Sequence, residues 1–248
     1  MIEGKSVRLR AMRAEDAKHQ LRWRNDPEVV RLAAAGDPRF GPTTAEALAE
    51  RFERILRLDP REAGMLTVEE TSGGRPIGLV DYRGLDPYEG VAEVGVAIGE
   101  RKFWDRGYGS EALGLLVDHL FGAFPLHRIE LDTWSGNPRA ARAFTRLGFR
   151  EEGRRRAAVL VAGVRYDRLL FGMLRDEWEE RRRPAPDSGH DTPDDDRPAG
   201  PSDTPPTTPD ASDTPAAPPA RRDRGAESAS RAASDVGWGS VSTILAVG

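Results

Sequence analysis

The chain has 248 residues, 38% hydrophobic and 31% charged, with a formal net charge of −4 and no cysteine, which excludes a disulfide scaffold, a cysteine-ligated zinc site and a cysteine nucleophile. Its four scattered histidines suggest no metal site, no run approaches the roughly 18 apolar residues of a membrane span, and the first ten residues lack the apolar core of a signal peptide. We therefore expect a cytoplasmic protein that holds no metal ion and does not contact a membrane.

The first quarter of the chain predicts one short strand and two helices. Ser6–Arg10 alternates between polar and apolar residues, as a strand does. Acidic residues open a predicted helix over Ala14–Trp23. In a second helix, Thr43 and Glu46 have the spacing of a capping box, and apolar residues recur on one face until Pro60 ends the helix.

The spacing then changes to that of strands. Met65–Glu69 and Ile77–Tyr82 predict a hairpin, because a Ser-Gly-Gly turn lies between them. Val91–Ile98 is a third apolar strand, and a basic, glycine-rich loop follows it.

The next segments predict two helices and three strands. Ser110–Phe121 has a helical apolar face, and a second helix begins at the capping residue Asn137 and ends at Gly148. The predicted strands are Arg128–Thr133, Phe149–Arg154 and Val164–Met173. Hairpins on one side and strand–helix units on the other predict an α/β fold with a mixed, mostly antiparallel sheet and flanking helices.

The composition changes at Pro184. Residues 1–183 hold 32 basic and 30 acidic side chains, whereas residues 184–248 hold ten Asp, one Glu, five Arg and 11 of the 19 prolines. Because no large apolar residue occurs between Pro184 and Ala233, this segment has little to offset the entropy cost of ordering. We predict a folded domain over 1–183 and a disordered Pro/Asp/Ala-rich tail over 184–248. Its apolar end, Val236–Gly248, is either an unpartnered terminus or a docking peptide.

The strongest chemical signal is the stretch from Ile98 to Ala112, in which a strand runs into a glycine-rich loop that opens a helix. Backbone N–H groups at the start of a helix are unpaired and partly positive, so they bind phosphate groups. Glycine lets the backbone approach an anion, and Arg101, Lys102 and Arg106 add positive charge. The loop therefore predicts a phosphate site, with a purely structural turn as the simpler alternative.

The spacing of Gly107, Gly109 and Ala112 also fits a dinucleotide-binding fingerprint, with Asp132 at about the place of a ribose-binding acid. A dinucleotide loop, however, turns within a few residues of its strand in the first strand–helix–strand unit. Here the eight residues 99–106 intervene and two hairpin-linked strands come first. We therefore do not favour a dinucleotide site.

The loop Trp104-Asp105-Arg106-Gly107-Tyr108-Gly109 resembles the acyl-CoA loop of the GNAT superfamily of N-acetyltransferases, whose pattern is Gln/Arg-x-x-Gly-x-Gly/Ala. Tryptophan in the first position is usual in the branch of ribosomal-protein N-terminal and spermidine acetyltransferases. The resemblance covers about residues 1–180. Other segments similar to this branch are Gly4–Arg10, Trp23–Pro27, Asn137–Phe144, Leu147–Phe149, Glu151–Gly153 with Arg155, and Glu177-Trp178.

The resemblance implies the GNAT acyl-CoA N-acyltransferase fold, with acetyl-CoA as co-substrate. The pantetheine arm would lie along the end of the third strand like an added strand, and the pyrophosphate would rest on the backbone of the loop. Asn137 would contact the pantetheine, cap its helix, or do both. The cofactor-binding residues expected from the resemblance are Val96, Ala97, Ile98, Trp104, Arg106, Gly107, Tyr108, Gly109, Ser110 and Asn137.

The resemblance also implies transfer of an acetyl group to a primary amine by direct attack in a ternary complex. A group must accept the proton of the ammonium, whose pKa is about 10 for an alkyl amine and about 8 for a protein N-terminus. The candidate catalytic residues are Glu93, Asp132 and Ser135. We favour Glu93, which matches a strand glutamate of the histone acetyltransferases. Phe144 stands where many members have a tyrosine that protonates the leaving thiolate, so the source of that proton stays open.

The partners follow from the same reasoning. The acceptor is either a protein N-terminal α-amine or a small amine, and the sequence does not choose between a monomer and a homodimer. Residues 1–183 are near neutral, so we expect no nucleic-acid partner and regard Arg154–Arg156 as solvated. The alternative function is a catalytically inactive acyl-CoA-binding sensor or partner protein, which Phe144 favours and Glu93 opposes.

Overall fold

The computed structural model describes residues 1–35 and 40–183. The tail predicted over 184–248, with its apolar end, lies outside the described residues. The strands are β1 (Ile2–Glu3), β2 (Val7–Ala11), β3 (Gly64–Glu70), β4 (Pro76–Asp86), β5 (Val91–Ile98), β6 (Arg128–Trp134), β7 (Arg150–Val161) and β8 (Val164–Leu174). The helices are α1 (Ala17–Arg24), α2 (Pro27–Ala34), α3 (Ala45–Ile55), α4 (Tyr108–Ala123), α5 (Pro138–Leu147) and α6 (Arg175–Arg182).

One sheet of eight strands organises the domain, in the order β1-β2-β3-β4-β5-β6-β8-β7. The β5–β6 pair is parallel and the other neighbouring pairs are antiparallel, which confirms the predicted mixed sheet. In the described ranges, no helix is both long and apolar enough to cross a membrane.

Each face of the sheet has its own hydrophobic core. Ala92, Val94, Val96 and Ile98 of β5 pack with the apolar face of α4. Ala97, on the opposite face because strand side chains alternate, packs with the apolar faces of α2 and α3. The two cores fix β5 in the middle of the domain.

β5 and β6 separate partway along their length. They pair only at Val91, Ala92 and Glu93 of β5. Beyond this point β5 stays paired with β4 as far as Ile98, and β6 stays paired with β8 as far as Trp134. The facing edges of the two strands are therefore left without a ladder, which opens the centre of the sheet.

Several local predictions need correction. The residue that caps α3 is Thr44, not Thr43, and its hydroxyl accepts a hydrogen bond from the N–H of Ala47 at 3.2 Å. The helix predicted from Ala14 begins as a short 3-10 turn before α1. β1, α2 and α6 were not predicted from the sequence. The predicted end of β7 is too early, because most β7 side chains are exposed and lack an apolar alternation.

Candidate active site

The glycine-rich loop lies directly beyond the open end of β5. A 3-10 turn over Arg101–Phe103 comes first, and α4 begins at Tyr108. Gly107 caps α4 with a left-handed backbone (φ 81°), a conformation that costs glycine little. A Cβ atom built at Gly107 meets no described atom within 4 Å. This side of the loop is therefore open for a ligand to approach the backbone.

The loop offers free hydrogen-bond donors. In the described part of the chain, no backbone N–H group of residues 105–110 donates to a carbonyl oxygen. The next N–H group, that of Glu111, donates to the carbonyl oxygen of Gly107 at 2.9 Å. The hydroxyl oxygen of Ser110 is buried and also has no partner among these residues. Together with the positive end of the α4 dipole, these donors fit a phosphate group.

Trp104 anchors this loop to the end of β5 through its side chain. Its indole N–H donates a hydrogen bond to the carbonyl oxygen of Ile98 at 2.7 Å. The guanidinium carbons of Arg101 and Arg139 lie 5.9 and 5.4 Å from the centre of its ring, within the range of cation–π attraction. The tryptophan therefore holds the loop against the strand.

The other predicted cofactor-binding residues lie in the same loop or at the ends of the two separated strands. Val96–Ile98 occupies the section of β5 whose edge towards β6 is unpaired. Asn137 follows β6, is buried, and accepts a hydrogen bond from the N–H of Ala140 at 3.3 Å, so it caps α5. Arg106 is exposed. The ring of Tyr108 packs edge-on against that of Phe103, with 5.1 Å between the ring centres.

Glu93 belongs to a charged network on the face of the sheet away from α4. The guanidinium of Arg83 donates to an oxygen of Asp81 at 2.5 Å and to an oxygen of Glu93 at 2.5 Å. Burial raises the pKa of Asp81, although Arg83 opposes the rise. The two carboxylates fix the position of Arg83, and Arg83 in turn holds Glu93 at the edge of the opening.

Asp132 lies on β6 two residues beyond Glu130, the last residue of β6 that pairs with β5. Its carboxylate is bound by Arg168 of β8. Burial nevertheless raises the pKa of Asp132 to about 7, and the negative charge of Glu93 contributes to the rise. A carboxyl group with this pKa exchanges a proton near neutral pH.

An open cleft of about 670 Å³ brings two of the three candidate catalytic residues together. Glu93 and Asp132 both line it. Ser135 is not among the lining residues; it is exposed at the end of β6, where its hydroxyl accepts a hydrogen bond from the N–H of Asp167 at 3.1 Å. In the two described ranges, no group of three or more His, Asp and Glu side chains is placed to hold a metal ion.

The cations of this network were not predicted from the sequence. Arg83 and Arg168 bind the two candidate carboxylates, and Asp81 holds Arg83 from the other side. A signal was present, because Asp81 and Arg83 are charged residues two apart in an otherwise apolar strand, where both side chains point to one face. Charges buried in this way need partners, so a paired network could have been expected.

Comparison with known proteins agrees with this geometry. Residues 6–150 match the model of the acetyltransferase (GNAT) domain. The chain is 28% identical over 170 residues to "Uncharacterized N-acetyltransferase p20" of Bacillus licheniformis, which covers 68% of this chain and 93% of that protein.

Two solved structures share the fold. The crystal structure of spermidine N-acetyltransferase from Vibrio cholerae in complex with CoA and spermine has a TM-score of 0.63 and 20% identity, and covers 71% of this chain and 99% of that chain. An acetyltransferase (GNAT family) from Bacillus anthracis has a TM-score of 0.60 and 18% identity, with 71% and 98% covered. The chain therefore belongs to the GNAT family of acetyltransferases and is an acyltransferase.

Proposed function

We propose that the protein transfers the acetyl group of acetyl-CoA to a primary amine bound in the cleft of Glu93 and Asp132. The observation that carries the proposal is the separation of β5 from β6. It leaves a free strand edge at Val96–Ile98, which runs into the loop, and the cleft of the two carboxylates lies at the point where the two strands part. Binding of the two substrates from different sides of this opening would bring the acetyl carbon and the amine together.

The loop and β5 are suited to acetyl-CoA. The free N–H groups of residues 105–110 would bind the pyrophosphate. The amides of the pantetheine arm would pair with the unpaired edge of Val96–Ile98, as an added strand does. A strand N–H near Val96 or Ala97 would then polarise the thioester carbonyl.

Asp132 is the group that we assign as proton acceptor. The amine nitrogen forms a bond to the acetyl carbon, the carbon–sulfur bond breaks, and the proton of the amine passes to Asp132. A carboxyl group with a pKa of about 7 is matched to this step at neutral pH. Glu93, bound by Arg83, has the supporting role of holding negative charge beside Asp132. Proton acceptance thus moves from Glu93, which the sequence favours, to its neighbour in the cleft.

The protein need not supply an acid for the leaving thiolate. Phe144 is fully buried, and its ring packs edge-on against that of Phe171 at 5.4 Å. It is therefore a core residue. A thiol has a pKa of about 8.5, so the thiolate leaves without a protein donor and takes its proton from water.

A panel of amines tests this function. Short peptides, polyamines and amino sugars are incubated with acetyl-CoA, and CoA release is measured beside direct binding of acetyl-CoA. CoA release that depends on an amine supports the proposal. Binding without release for every amine supports the alternative, an inactive acyl-CoA-binding sensor, and absence of both refutes each function.

A further inference from the structure

One guanidinium in the cleft has no carboxylate partner among the described residues. Arg155 of β7 lines the same cleft as Glu93 and Asp132. Its side chain forms no ion pair with any residue in the ranges 1–35 and 40–183, whereas its neighbour Arg154 is bound by Glu151 at 2.5 Å. The solvated cluster expected at Arg154–Arg156 thus contains three arginines in different surroundings.

The carboxylates of the cleft, in contrast, are all bound by arginine. Four acidic side chains line it, and each already has a guanidinium partner. The three guanidiniums that bind these carboxylates are each held by at least one of them, so among the described residues Arg155 is the cation of the cleft that is left for a substrate anion. The pairs are Glu93 with Arg83, Asp132 with Arg168, and both Glu130 and Glu152 with Arg128.

The sheet register places Arg155 against a second cation. Arg155 is directly opposite Arg168 in the β7–β8 pair. Like charges directly opposite one another on neighbouring strands are unfavourable. Asp132 compensates Arg168, but no described residue compensates Arg155. An anion at this position would satisfy Arg155 and reduce the repulsion between the two cations.

We propose that the amine acceptor carries an anionic group, a carboxylate or a phosphate, which binds Arg155 while the amine reaches Asp132. This inference rests on the proposed function. β7 and β6 are separated by β8, so their backbones are two strand spacings, roughly 10 Å, apart, and the acceptor spans the part of this distance that the two side chains leave open. The class is thus an amine with an anionic group several bonds away.

Three acceptors of equal length test the charge preference directly. They are 6-aminohexanoate, 6-aminohexanamide and 1,6-diaminohexane, whose far ends are negative, neutral and positive. We expect the lowest KM for 6-aminohexanoate, about 10-fold below that of the amide, because a charged hydrogen bond to a guanidinium is stronger than a neutral one. The diamine should have the highest KM. An aminoalkyl phosphate of similar length then shows whether carboxylate or phosphate is preferred.

Variants at two neighbouring arginines identify the residue. Arg155→Gln should bring the KM ratio of amide to acid close to one, and Arg155→Lys should keep part of the preference. Arg156→Gln is the matched control, since Arg156 is also exposed, forms no ion pair with a described residue and does not line the cleft. It should keep the ratio. A preference that weakens with added salt in the wild type only would support a charge contact.

Two results would overturn the inference. One is an equal KM of the wild type for the three acceptors. The other is an equal change of the KM ratio of amide to acid in Arg155→Gln and Arg156→Gln. In both cases acetyl transfer continues, so the proposed function stands. If no amine is acetylated, calorimetric binding of the three compounds to the CoA complex decides. If the wild type binds the acid more tightly than the other two compounds and Arg155→Gln does not, the anion site is supported. If the wild type shows no such preference, the anion site is refuted.

Discussion

Arg168 binds Asp132 across β8 and β6, yet the pKa of Asp132 is still raised to about 7. Burial is the largest cause, because it disfavours the charged carboxylate more than the single guanidinium favours it. Arg168 thus keeps the carboxylate available near neutral pH without making it as acidic as a solvent-exposed aspartate. This balance, rather than the presence of an acid in the cleft, is what suits Asp132 to accept a proton.

Asp132→Asn should lower kcat/KM by about 10²–10⁴-fold, which is the rate enhancement that a general base typically provides. In the wild type, kcat/KM should rise with pH through an apparent pKa near 7, as Asp132 loses its proton. This limb should be absent in the variant, which retains only the rise due to deprotonation of the amine. A pH profile for each enzyme measures both effects. If the rise of kcat/KM near pH 7 is still present in Asp132→Asn, another group accepts the proton.

Glu93→Gln should shift the same limb to lower pH. The negative charge of Glu93 disfavours ionisation of Asp132 and so raises its pKa. Removing that charge should lower the pKa of Asp132, and the rise in kcat/KM should begin at a more acidic pH. The loss of activity at neutral pH should be smaller than in Asp132→Asn. If Glu93→Gln instead lowers kcat/KM more than Asp132→Asn does, and the pH at which kcat/KM rises does not move, then Glu93 is the base, as the sequence predicts.

The features that could be predicted from the sequence are those whose signals lie within short segments of the chain. The loop before α4 and the cap at Asn137 follow from local residue types, and the apolar strands follow from their alternation. Asp26 and Pro27, a cap and a first-turn proline, are a local signal for α2 that was overlooked; the Asp26 side chain accepts two backbone hydrogen bonds at the start of this helix.

The rest depends on residues that are distant in the chain. Arg83 meets Glu93 because β4 and β5 pair, and Asp132 meets Arg168 because β6 and β8 pair. The end of the β5–β6 ladder at Glu93 has no local signal at all, since the residues that follow in β5 are apolar and extended. The candidate bases could thus be named from the sequence, but their charge partners and the raised pKa of Asp132 could not.

We propose that residues 1–183 form the complete catalytic domain. A chain that ends at Arg183 should keep its melting temperature and its turnover, because residues 184–233 contain no large apolar side chain to contribute to a core. Thermal unfolding and CoA release, compared between the full and shortened chains, measure this. A clear fall in either quantity would show that Val236–Gly248 docks on the domain.

Acetyl-CoA should stabilise the wild type by about 2.7 kcal/mol at 100 times its dissociation constant, and Gly107→Val should abolish most of this shift. The backbone of Gly107 is left-handed (φ 81°), which a β-branched residue adopts only at high cost, and its open side is where the phosphates would approach. Gly122→Val is the control, because Gly122 lies near the other end of α4, has no positive φ, and leaves 4 Å around an added Cβ free of described atoms. Melting curves with and without acetyl-CoA for the three proteins make the comparison. An equal ligand shift in Gly107→Val and Gly122→Val would mean that acetyl-CoA does not bind over this loop.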